Sequence, residues 1–127
     1  DVNKSIYYYS LAAKQNNSSA QYNLGFIYYD SIPCDINHAL HYFQLAAEQN
    51  HKSAQYCIGV IYDEGIHVRH DVNKAIYYYS RAANQNSALA LSKLGFIYFK
   101  GVDVPKDINK AIYYMSLIKI IQLHNFN

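Results

Sequence analysis

Small and apolar residues return along this chain with the step of a helix. From Asp71 to Asn86, Ala75, Tyr78, Tyr79, Ala82 and Ala83 fall at i, i+3, i+4, i+7 and i+8, a single stripe of an α-helix. A second stripe, Ala54, Ile58, Gly59 and Tyr62, steps by three and four over a shorter stretch. Both patterns recur. The first opens at Asp1 (DVNKSIYYYS), Asp35 (DINHALHYFQ), Asp71 (DVNKAIYYYS) and Asp107 (DINKAIYYMS), at steps of 34, 36 and 36 residues. The second opens in phase with it at Ala20 (AQYNLGFIYYDS), Ala54 (AQYCIGVIYDEG) and Ala90 (ALSKLGFIYFKG). A fixed period of this size predicts one supersecondary unit stacked on itself. No stretch alternates with the period of two that strands and hairpins need, so the expected fold class is all-α.

The residues that bound each stripe fit helix ends. Asp35, Asp71 and Asp107 stand at N-cap positions, where a carboxylate accepts from the free N–H groups of the first turn. Asn16, Asn50 and Asn86 close the longer pattern, and Asn is the best substitute for Gly in the left-handed closing conformation. Gly65 and Gly101 close the shorter one, and a loop of five residues leads to the next Asp. The first copy has Ser31 there and a loop two residues shorter, stiffened by Pro33. Seven helices are predicted, at roughly 3–15, 19–30, 36–49, 52–63, 72–85, 88–99 and 108–122. Each is marginal alone in water, so stacking on neighbours must hold it. Gly25, Gly59 and Gly95 sit inside helices, where Gly costs about 1 kcal/mol against Ala. The expected compensation is close approach of a neighbouring helix. The paired tyrosines Tyr78 and Tyr79, and their copies, are expected in the core with their hydroxyls reaching the surface or a partner.

Composition narrows the function classes. The 127 residues make one domain's worth of chain with a net charge of +2, and no Lys/Arg run marches along one face. The electrostatic footprint of a nucleic-acid binder is missing. Only 16% of residues are charged, so Asn, Gln and Ser are expected to supply much of the polar surface; tyrosine is over-used, at 15 residues. Cys34 and Cys57 occupy unrelated repeat positions and fit reduced thiols of a cytoplasmic protein. No apolar run approaches the ~18 residues of a membrane span. No secretory leader opens the chain, which starts at Asp1 halfway through a repeat and is expected to be a fragment of a longer protein.

Chemistry finds little support. Cys34, His38 and His41 form at best a partial metal set, and His67 and His70 share a loop with Arg69. Zinc needs three or four convergent ligands, so solvated surface histidines are expected and no metal site. No nucleophile elbow, P-loop or H-E-x-x-H motif occurs. Asp63 and Glu64 are adjacent at a helix end and do not face one another as an acid/base pair would. An enzyme is not expected, and no cofactor.

The two motifs together resemble the Sel-one-like repeat, a relative of the tetratricopeptide repeat. Ala54, Ile58, Gly59, Tyr62, Gly65, Asp71, Lys74, Ala75, Tyr78, Tyr79, Ala82 and Ala83 carry the likeness in the middle copy. It implies a right-handed α-α superhelix, a solenoid of helix-turn-helix repeats. The array would run as a half repeat over 1–17, then repeats over about 18–51, 52–87 and 88–127. It also implies an adaptor or scaffold for protein complexes, with a protein or peptide ligand. Two departures stand out. His38 replaces the Lys of the other copies, and Ile118-Lys119 replaces the Ala-Ala pair, which suits 108–122 to closing the array.

By analogy with tetratricopeptide geometry, the first helix of each pair lines a concave inner wall. Ser19, Tyr22, Phe26 and Tyr29 would project there from the first copy. Ser53, Tyr56, Val60 and Asp63 would follow from the second, and Leu89, Ser92, Phe96 and Phe99 from the third, with Glu64 near one rim. Aromatic anchors with few charges suit an extended peptide or a helix in a groove. Two other readings stay open: a structural segment of a larger signalling protein, and weak self-association through Ile118, Ile121 and Leu123 of the last helix.

Overall fold

The computed structural model describes residues 1–125, and among these it holds seven helices and no strand. They are α1 (Val2–Lys14), α2 (Ser18–Asp30), α3 (Ile36–Glu48), α4 (Lys52–Glu64), α5 (Val72–Ala83), α6 (Ala88–Lys100) and α7 (Ile108–Asn125). Each helix packs on the next in chain order, most extensively within the pairs α2–α3, α4–α5 and α6–α7. The molecule is an all-α solenoid of helical hairpins.

The caps explain where the helices start and stop. Asp1, Asp35, Asp71 and Asp107 each accept a backbone N–H of the following first turn. Asn17, His51 and Ser87 do the same for α2, α4 and α6. Asn16, Asn50 and Asn86 lie in the left-handed region at φ 64°, 65° and 64°. There they reverse the chain between α1 and α2, α3 and α4, and α5 and α6. Gly65 and Gly101 close α4 and α6 at φ 64° and 63°.

Glycine decides how close the paired helices come, but not in every copy. A Cβ on Gly25 would lie 2.6 Å from the Phe43 ring, and one on Gly59 only 2.5 Å from the Tyr79 ring. Those rings lie on bare backbone and form the centres of two core clusters. Gly95 departs from the expectation. Its Cβ would meet nothing nearer than 3.5 Å, because Met115 stands where the ring stood in the earlier copies and is itself 54% exposed. The tyrosine pair also needs correction at the ends of the array. Tyr79 is sealed and Tyr78, like its copies Tyr42 and Tyr114, half-buried. In the first copy, however, Tyr8 is exposed and Tyr9 half-buried, and in the last Met115, at the Tyr79 position, is 54% exposed. Among the described residues, α1 and α7 have a neighbouring helix on one side only.

A polar ladder ties the repeats together along the edge where each α3-type helix turns into the next hairpin. Gln21 and Gln55 are buried, at 2% and 0% exposure. Gln49 donates to Gln21 Oε1 at 2.8 Å, and Gln85 donates to Gln55 Oε1 at 3.0 Å. Gln55 in turn donates to the Ala47 carbonyl and to Asn50 Oδ1. These glutamines are therefore interior and not the surface polars that composition suggests. The ladder stops at Leu91, which occupies the Gln55 position of the last repeat.

A third recurrent contact clamps each hairpin at its start. Lys74 Nζ sits 4.9 Å from the centre of the Tyr62 ring, and Lys110 Nζ sits 4.6 Å from that of Tyr98. His38, in the same position of the first repeat, stacks on Tyr28 with ring centres 4.9 Å apart. The imidazole thus takes the place of the ammonium.

Candidate protein-binding grooves

Tyr22, Phe26 and Tyr29 leave α2 three and four residues apart, so they share one side of that helix. Tyr56 and Val60 leave α4 toward the same space. Between them lies a cleft of about 250 Å³, floored by Phe43, Cys57 and Ile61 and flanked by Glu64 and by Lys93 of α6. A depression of about 460 Å³ continues it past Tyr22, Lys52 and Ser53 to the start of α6 at Asn86–Leu89. The two share Phe26, Tyr56 and Cys57 and form one groove across α2, α4 and α6.

The groove's rings are held by other rings. Phe26 meets Tyr22, Tyr29 and Phe43 edge-on at centroid distances of 5.6, 6.4 and 6.2 Å. Tyr22 stacks on His51 at 4.7 Å, and Tyr56 leans on Tyr79 at 5.8 Å. Such pairs fix geometry beyond what area burial alone gives. Tyr22, Tyr29 and Tyr56 are half-buried, whereas Phe26 is open to solvent.

Titration keeps this wall uncharged. Burial, with the neighbouring Cys57 second, pushes the Tyr22 hydroxyl up to about 12. Burial raises Cys57 to about 11, and a hydrogen bond with Tyr22 pulls the other way. Tyr29 and Tyr56 also move up, chiefly through burial. At neutral pH the wall offers hydroxyls and a protonated thiol, and the Cys57 sulfur lacks the thiolate character of a reactive cysteine. His51 is held below its ordinary value by burial. It must be neutral in any case, since Nδ1 accepts the Ala54 N–H at 3.2 Å.

The twelve wall residues expected from the pattern divide between two places. Tyr22, Phe26, Tyr29, Ser53, Tyr56, Val60 and Leu89 line the α2–α4–α6 groove. Ser92, Phe96 and Phe99 turn toward α7 and line a separate cavity of about 600 Å³ with Ile112 and Met115. Ser19 is exposed. Asp63 is engaged elsewhere. Its carboxylate accepts the Tyr79 hydroxyl at 2.9 Å, and its carbonyl lies 2.9 Å from His70 Nδ1.

Glu64 was expected near one rim of this wall and lines the cleft, whereas Cys57 and Lys93 were not visible as groove residues from periodicity. Cys57 lies one position off the expected stripe, and Lys93 comes from the next repeat. The histidines do not gather, and no group of three His, Cys, Asp or Glu side chains converges among the described residues. Several are nonetheless placed by the packing: His51 caps α4, His38 pairs with Asp35 at 2.8 Å, and His70 Nε2 meets Asp103 at 2.9 Å. No helix among the described residues is long and apolar enough to cross a membrane.

Stacked hairpins with glycine seams and open grooves between them define a helical-repeat fold. The Sel1 repeat model matches residues 1–17, 18–51, 52–87 and 88–117, and the chain belongs to that family. Sel1 repeats are generally protein-interaction modules and typically non-catalytic. The chain is similar to the crystal structure of a Sel1 repeat protein from Oxalobacter formigenes, with 33% identity and a TM-score of 0.83 over 94% of this chain. It is also similar to c5321, a protective antigen of uropathogenic Escherichia coli strains with an SLR fold, with 29% identity and a TM-score of 0.83 over 91% of this chain. The match takes in 49% of the first of those chains and 25% of the second. No curated protein matches the chain.

Proposed function

We propose that this chain is a non-catalytic adaptor that binds a segment of another protein in the groove across α2, α4 and α6. The supporting observation is the convergence of Phe26, Tyr29 and Tyr56 on one open cleft flanked by Glu64 and Lys93. Pre-positioned rings give large contact area at small entropic cost, which is what binding hot spots use. The floor is apolar enough to desolvate a ligand side chain, and the tyrosine hydroxyls supply hydrogen bonds to a ligand backbone. The cytoplasm is the compartment that the sparse, unrelated cysteines fit.

Photo-crosslinking tests this reading. A crosslinking amino acid at Phe26 or Tyr56 is expected to trap a defined protein in cells. The same label at Tyr77, exposed and outside this groove, is expected not to. Equal capture from both positions would sink the proposal. A second reading, weak self-association through Ile118, Ile121 and Leu123 at the end of α7, draws on Leu123, which is 63% exposed, whereas Ile118 and Ile121 are half-buried. Sedimentation at several concentrations, with Leu123→Ser as control, separates the two.

A further inference from the structure

We propose that the partner segment held in the α2–α4–α6 groove carries an acidic side chain beside an apolar one, and that this acid meets Lys93. The assignment rests on the groove being the docking site and names the chemistry of what docks there. The groove lies inside the array. Its middle helix, α4, already has α3 and α5 packed on it, and the hairpins on either side are in place.

The charges of the groove are few and unequal. Its tyrosines and Cys57 are neutral, so the walls hold two cations, Lys52 and Lys93, against one acid, Glu64. Lys93 is half-buried, whereas Lys52 and Glu64 are exposed. Attraction at a half-buried cation is screened less than at an exposed one, so Lys93 weighs most in the choice of ligand. Glu64 flanks the same cleft, but the ion pairs among the described residues, His38–Asp35 and His70–Asp103, include neither Glu64 nor Lys93.

Stacking does not account for this cation. The same repeat position holds Asn23 in α2 and Cys57 in α4, so the hairpins pack without a charge there. Lys74 and Lys110 have a structural use, each lying over a tyrosine ring at the start of a hairpin. Lys93 instead stands in the wall of an open cleft, beside Tyr56 and Val60 and above the apolar floor of Phe43, Cys57 and Ile61. An extended segment sends alternate side chains to opposite sides. An apolar residue on that floor therefore leaves a carboxylate next to it, or one residue further on, free to turn to the Lys93 ammonium. The apolar contact supplies most of the affinity, and the charge pair selects among apolar segments.

Random linear peptides displayed on phage and panned on the intact chain supply the probes, and fluorescence anisotropy measures their synthetic forms. Peptides that lose binding on Phe26→Ala are expected to carry Asp or Glu beside an apolar residue. Lys93→Asn, the residue of the first repeat at this position, should weaken them roughly fivefold, and Lys93→Glu roughly tenfold or more. Replacing the peptide's acid by its amide should cost as much as Lys93→Asn, and nothing further in the Lys93→Asn chain. Groove-dependent peptides that lack an acid, or acidic ones whose affinity ignores Lys93, would overturn the assignment and leave the groove standing as a docking site. Recovery of no peptide sensitive to Phe26→Ala and Tyr56→Ala would overturn both. Self-association abolished by Lys93→Glu would also overturn the assignment, by giving the groove to a second copy.

Discussion

Two glycines at the same repeat position should respond to alanine with opposite signs. At Gly59 a new methyl would stand 2.5 Å from Cδ1 and 2.6 Å from Cε1 of Tyr79. Ordinary carbon contacts lie near 3.5–4.0 Å, so the ring would have to retreat by roughly 1 Å. It has little freedom to do so, being fully buried with its hydroxyl held by Asp63. Overpacking of this kind costs about 1–3 kcal/mol, and the gain in helix propensity returns about 1 kcal/mol. Gly59→Ala is therefore expected to destabilise by up to about 2 kcal/mol. At Gly95 the methyl would meet only the Ala111 carbonyl and Met115 Sδ, both at 3.5 Å. The propensity gain then stands nearly alone, and Gly95→Ala should be neutral or stabilising by up to ~1 kcal/mol. Urea unfolding followed by circular dichroism reads both variants. Equal losses at the two positions would refute the assignment of a packing role to Gly59 and its absence at Gly95.

Other perturbations test the polar and titrating contacts. Gln55→Leu should cost about 1 kcal/mol in the same unfolding assay by removing the bonds of Gln55 to the Ala47 carbonyl, Asn50 and Gln85, each of which keeps another partner; no loss would show the ladder to be incidental. His70 bridges Asp63 O and Asp103, both acceptors, so the imidazolium is the form that satisfies both contacts. Its pKa is raised, by the Asp103 hydrogen bond first, so its stabilisation is complete below about pH 6.5 and fades as pH rises through the folded value. Asp103→Asn should flatten that limb of the unfolding profile. His51 works in the other direction. Burial lowers its pKa, so the α4 cap is intact above about pH 6.5 and lost as pH falls through the folded value, which His51→Asn should prevent.

Much of the fold was legible because a repeat states its rules several times. The capping Asp residues, the left-handed Asn16, Asn50 and Asn86, and the mid-helix glycines all recur in register, and the structure uses them as helix starts, reversals and, twice, seams. What the pattern could not show was the context of each copy. Gly95 looks like Gly25 and Gly59 in the motif, but its partner is decided twenty residues away by Met115. Gln21 and Gln55 read as surface polars in composition, yet their common repeat position followed Gln15-Asn16, Gln49-Asn50 and Gln85-Asn86 and marked an inter-repeat ladder. Grooves were harder still. Helical spacing placed the rings of α2 and α4 on one side, but only the packing of α6 and α7 turned Phe96 and Phe99 toward a different cavity from Phe26 and Tyr56.

The reading of this chain as a protein-binding surface stands or falls with the α2–α4–α6 groove. The most direct measurement is capture of the partner trapped at Tyr56, quantified for the parent chain, for Phe26→Ala/Tyr29→Ala, and for Tyr77→Ala/Tyr113→Ala, each verified as folded by circular dichroism. The account predicts capture lost in the first pair and retained in the second. Retention in the first pair, or loss in both alike, would contradict it.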